Sequence, residues 1–217
     1  MQQTNRTLVT FALLCALCTT AMQAQDVVKA NAILLKATGP FEDMIAPALA
    51  KNEKGMARHL AAADQQAKDV QRVLPAESAK QFETLLQSIH KAADGKDDLV
   101  VAEKAAVVFR LLIDNLKAGA LKIPVEVSLL DWAAYELQVL AAAEKPDWSA
   151  MTRVATEAAG WWNGIAKRVG DKNLRATVTT TIHGLQQSTS EQNLSMLKFA
   201  AQVALDVVDL LEVSFKK

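Results

Sequence analysis

Residues 77–93, ESAKQFETLLQSIHKAA, decide the fold. Phe82, Leu85, Leu86 and Ile89 recur at helical spacing, so they line one apolar stripe on a helix whose other faces are polar. The stretch 172–188, KNLRATVTTTIHGLQQS, carries the same stripe in Leu174, Val178, Ile182 and Leu185. Each stripe contains an Ile-His pair, Ile89-His90 in the first and Ile182-His183 in the second. Working outward, Met56-Ala57-Arg58 returns as Met151-Thr152-Arg153. Lys104, Ala106, Leu111, Ile113 and Leu116 return as Lys198, Ala200, Leu205, Val207 and Leu210. The offsets are 95, 93 and 94 residues, a drift that small changes in helix-connecting loops produce. The pattern reads as a tandem duplication of a helical unit.

Helical periodicity runs along nearly the whole chain, and strand-like alternation and hairpin turn pairs are almost absent. The expected fold is all-α, with eight to nine helices. The first repeat, 25–118, reads as helices at 26–37 and 41–52, broken by Thr38-Gly39-Pro40, then 54–73, 77–93 and 97–118. The second, 125–217, reads as helices at 125–144, 147–169, 172–188 and 190–214, with a break at Ser188 to Ser190. Asp147 and Ser190 are the expected N-caps, and Pro124 can open a helix because its missing N–H has no intrahelical partner there. Short connections between long helices favour antiparallel neighbours, so each repeat is expected to be an up-and-down four-helix unit. The joint, 119–124, is too short to let the two units move independently.

Residues 1–24 have the three parts of a secretory signal: positive charge at Arg6, an apolar core from Leu8 to Leu17, and small residues up to Ala24. Cleavage is expected after Ala24, with Ala21 the second choice. The apolar core is short of the roughly 20 residues a membrane-spanning helix needs, so a periplasmic protein without an integral membrane segment is the expectation. Cys15 and Cys18 both fall in the leader, so the exported chain would hold no disulfide and no thiolate metal site. Without disulfides, stability must come from buried apolar surface. Losing Arg6 leaves 23 basic against 24 acidic side chains, a balance that argues against nucleic acid or an anionic membrane as partner.

No catalytic signature emerges. The chain has no Gly-x-Ser-x-Gly elbow, phosphate-cradling loop, dinucleotide fingerprint or His-Glu-x-x-His run. His90 and His183 occupy equivalent positions and are the candidate metal or haem ligands, yet Gln87 and Thr180 stand where a bundle metal site would place glutamates. A Cys-x-x-Cys-His attachment site is absent, and Met44, Met56, Met151 and Met196 form no copper cluster. All four tryptophans lie in the second repeat. Trp161 and Trp162 point about 100° apart, so one of them belongs at a boundary or on the surface. Asp131 and Glu136, beside Trp132 and Tyr135, are the acidic residues expected to be partly buried.

These readings lead to a non-catalytic, cofactor-free binding protein that takes a protein partner or a small apolar ligand. The expected surface is the groove between the repeats, with Trp132, Tyr135, Trp161 and Trp162 as contacts. The alternative is a metal or haem carrier using His90 and His183.

Overall fold

A computed structural model describes the backbone of residues 5–216 and the side chains of residues 25–216; the expected signal segment lies outside the described side chains. Eight α-helices carry the described residues, and none of them forms a strand. They are α1 (Asn5–Leu49), α2 (Glu53–Val73), α3 (Ala76–Asp94), α4 (Asp98–Asp114), α5 (Val125–Ala142), α6 (Trp148–Ile165), α7 (Lys172–Ser190) and α8 (Leu194–Lys216). No described helix is long and apolar enough to cross a membrane. α1 packs on α2 and α4, and α3 packs on the same two, which closes a ring of four helices. α5, α6, α7 and α8 close a second ring in the same order, and α5 joins the two rings by packing on α4 and α1.

Three inter-helix turns use one device. Lys51, Lys96 and Gln192 each adopt positive φ, at 54°, 56° and 52°. The next N–H reaches back five residues, from Asn52 to Pro47 O at 2.8 Å, Asp97 to Ala92 O at 2.9 Å and Asn193 to Ser188 O at 2.8 Å. This closure satisfies carbonyls that the helix end leaves open. The same Asn or Asp then caps the following helix: Asn52 accepts from Gly55 N, Asp97 from Val100 N and Asn193 from Met196 N. Asp147 caps α6 through Ala150 N at 2.9 Å, as expected. Asp171 caps α7 through two amides.

Two expected boundaries are corrected. The break at Thr38-Gly39-Pro40 does not occur, and α1 runs through it to Leu49. Leu34, Ala37, Phe41, Met44, Ile45 and Ala48 are all buried on one side of α1, so the core holds the helix together across the proline. Thr38 is buried with its hydroxyl donating to Leu35 O at 2.8 Å, which keeps it helical. The break at Ser188 to Ser190 also moves. Ser188 and Thr189 are buried and donate their hydroxyls to Leu185 O and Gln186 O, so α7 continues to Ser190 and Asn193 replaces Ser190 as the cap.

The junction between the rings is held by several distinct contacts. Buried Asn31 on α1 donates to Lys117 O at 3.0 Å and accepts from Lys117 N at 2.9 Å, which fixes the chain as it leaves α4. Trp132 on α5 donates its indole N–H to Ala106 O on α4 at 3.0 Å. The Arg110 guanidinium from α4 lies 4.6 Å from the Trp132 ring centroid and 5.1 Å from that of Trp161, and the two rings meet edge to face at 6.2 Å. Such cation–π contacts each contribute on the order of 0.5–2 kcal/mol.

Candidate functional site

Four helices and the joint surround a cavity of ≈ 340 Å³ at the junction of the rings. α1 supplies Leu35, Thr38 and Glu42, α5 supplies Ser128 and Asp131, and α8 supplies Glu212 and Lys216. Phe109 from α4 and Leu121, Lys122 and Ile123 from the joint complete the wall. α1, α5 and α8 each present their residues at spacings of three or four, so each shows a single face to the cavity. The size falls at the small end of the roughly 300–1,000 Å³ typical of ligand pockets. Its walls combine apolar side chains with a few convergent polar groups, the usual composition of such pockets.

The electrostatics are one-sided. The Glu42 carboxyl is pushed up to about 7, chiefly by burial and then by the negative charges of Asp43, Glu212 and Asp209. Asp131 is raised well above the ordinary aspartate range by burial, with Glu42, Glu212 and Asp209 adding to it. The Tyr135 phenol is also raised, first by burial and then by Glu42 and Asp131. The two lysines at the cavity relieve little of this charge. Lys216 Nζ is 2.9 Å from Glu212 Oε2, and Lys122 Nζ donates to the Lys216 carbonyl at 3.0 Å. Among the described residues neither Glu42 nor Asp131 has an ion pair or a side-chain hydrogen bond.

The aromatic candidates are placed one by one. Trp132 and Trp162 are buried, and Trp162 donates to Thr179 Oγ1 on α7 at 3.0 Å. Trp161 is half-buried over Arg110, so of the adjacent pair it is the one at the boundary. Tyr135 is half-buried and packs edge to face on Phe109 with ring centroids 6.4 Å apart. Trp132 and Trp161 thus meet, and Tyr135 comes next to the cavity through Phe109, whereas Trp162 faces α7.

The histidines are not brought together on a shared pair of helices. α3, which carries His90, packs on α2 and α4; α7, which carries His183, packs on α6 and α8. His90 Nε2 lies 2.9 Å from Asp64 Oδ1 on α2, and His183 is exposed. Among the described residues no three His, Cys, Asp or Glu side chains converge to hold a metal ion. Met44, Met56 and Met151 are buried in the core.

Glu136 is half-buried and its carboxyl is raised by burial, opposed by Arg153. Asp131 and Glu136 therefore sit where their register suggested. Glu42 and Glu212 were not anticipated. The signal available was the i, i+4 pair Thr38 and Glu42 beside the buried stripe of α1, which the expected break at Gly39-Pro40 obscured. Comparison with protein-family models, curated proteins and solved structures gave no match.

Proposed function

We propose that the protein is an exported, non-catalytic binding protein built from two duplicated four-helix units, and that it takes a small ligand with an apolar body at the junction between them. The observation that carries this reading is the cavity at the junction, walled by Leu35, Phe109, Leu121 and Ile123. Duplication is supported by the matching turns at Lys96-Asp97 and Gln192-Asn193, and by the burial of Met56 with Met151 and of Ile89 with Ile182. A duplicated bundle offers a groove between its halves that neither half has alone. Trp132 and Trp162 have their N–H groups satisfied inside the protein, so Tyr135 and the half-buried Trp161 are the aromatic groups left to meet a ligand or partner.

Chemical-shift mapping of the ¹⁵N-labelled protein against a set of small apolar molecules tests the reading. Perturbations gathered at Leu35, Phe109, Leu121 and Ile123 support it, and perturbations confined to other surfaces sink it. Export is tested separately, by amino-terminal sequencing of protein recovered from the periplasm, with Gln25 the expected first residue. A protein partner is the second reading. It is favoured by Phe199, Leu210 and Val213, which leave exposed apolar surface on one side of α8.

A further inference from the structure

We infer that the cavity at the junction binds a small organic ammonium ion, its apolar body on Phe109, Leu121 and Ile123 and its charged head between Asp131 and Glu42. This deepens the proposed function and rests on it. Asp131 is half-buried, lines the cavity, and has no hydrogen-bond or ion-pair partner among the described residues. Glu42 faces the same space from α1 and is likewise unpartnered. A carboxylate drawn partly out of water ionises less readily, and a cation that supplies the missing hydrogen bonds offsets that cost.

The chain's own cations do not fill this role. Lys216 is held by Glu212 and Lys122 by the Lys216 carbonyl, so both ammonium groups are engaged away from Asp131 and Glu42. A metal ion fits the site less well than an organic cation. The carboxylates do not converge as a group of three able to hold a metal, and much of the wall is hydrocarbon, which a hydrated divalent ion gains nothing by touching. An alkylammonium ion matches both features, because its head donates up to three hydrogen bonds to separated acceptors while its tail buries apolar area. The groups that face the carboxyl pair are Asp43 on α1, Tyr135 on α5, and Asp209, Glu212 and Lys216 on α8, with Lys122 on the joint. Their balance is negative, so the surroundings favour a cation.

The test uses hexylamine as the probe, with hexanol and hexanoate as controls of equal length, in calorimetric titrations of the full chain at pH 8. Hexylamine is expected to bind at least about tenfold more tightly than either control, the equivalent of one charge-assisted hydrogen bond. Asp131→Asn is expected to remove that preference while leaving hexanol binding unchanged, and the exposed-site control Asp94→Asn is expected to change neither. Binding at pH 7 should release protons, because the ammonium head favours ionised Glu42; titrations in two buffers of different ionisation enthalpy read this directly. Hexanol binding as tightly as hexylamine would overturn the ammonium assignment and leave an apolar site standing. Failure of all three probes to bind would overturn both. Hexylamine binding that survives Asp131→Asn together with Glu42→Gln would place the cation elsewhere and overturn the assignment.

Discussion

At the scale of single residues, Glu42 and Asp131 show how a bundle can hold charge where only apolar surface would be expected. Glu42 ionises with a carboxyl raised from 4.5 to about 7, so between those values the folded protein binds more protons than the unfolded chain. Stability from this group is therefore fully present below pH 4.5 and is lost as pH rises through 7. Glu42→Gln should leave the urea midpoint almost unchanged near pH 4.5 and raise stability by roughly 1–3 kcal/mol at pH 8. An equal effect at both values would show that Glu42 acts through shape rather than charge. Trp132 carries the opposite lesson, a polar atom satisfied in the interior. Trp132→Phe removes the bond to Ala106 O and some packing against Arg110, and should cost about 1–3 kcal/mol by denaturant unfolding. A loss below a few tenths would mean that the indole N–H is not a tie between α4 and α5. The sequence made Asp131, Glu136 and the split between Trp161 and Trp162 legible, because helical register alone fixes which side of a helix they occupy. It could not reveal Glu42 and Glu212, since their meeting with Asp131 depends on how α1, α5 and α8 converge across more than 160 residues of chain.

At the scale of helices, the apolar stripes were enough to locate most elements, and the errors cluster where local chemistry and core packing disagree. Gly39-Pro40 reads locally as a stop, yet the buried stripe from Leu34 to Ala48 continues in phase on both sides of it. Proline removes one backbone donor at an internal position, a cost of about 3 kcal/mol that burial of Phe41, Met44 and Ile45 must offset. Ser188 and Thr189 similarly look like a loop until their hydroxyls find helix carbonyls. The continuity of α1 can be checked at Gly39, where an added Cβ meets nothing within 4 Å and φ is not positive. Gly39→Ala should stabilise the protein by about 0.5–1 kcal/mol in thermal or urea unfolding, through better helix propensity. Had the chain broken there, alanine would destabilise it instead, so the sign of the change decides between a continuous helix and two short ones. Gln192 offers the complementary case. Its φ of 52° favours glycine, so Gln192→Gly should stabilise the α7–α8 turn by about 1 kcal/mol, whereas a loss would argue against the left-handed closure.

For the molecule as a whole, the question is whether two rings of helices behave as one folding unit. α5 answers it structurally, because Val127, Leu130, Trp132, Ala134, Leu137 and Val139 are buried on different sides of the same helix. A helix packed only within its own ring would keep one polar face toward water. α5 instead packs on α6 and α8 within its ring and on α4 and α1 across the junction, so unfolding either ring uncovers apolar surface on the other. Asn31 grips both backbone groups of Lys117 just before the joint, which fixes where the chain leaves the first ring. The expected result is one cooperative transition. All four tryptophans lie between 132 and 162, so their fluorescence follows the second ring and its contact with α4, while far-UV circular dichroism follows both rings. The two urea curves should share one midpoint in the unaltered protein. Separate steps, with fluorescence tracking only one of them, would show that the rings are independent and that a ligand at the junction could not stabilise the whole. Arg110→Ala removes the contacts of α4 on the Trp132 and Trp161 rings without touching either ring's central core, so it should weaken the coupling. In that variant the midpoints should part, and ligand occupancy at the junction should draw them together again, since a ligand held by α1, α4, α5 and α8 binds only when both rings are folded.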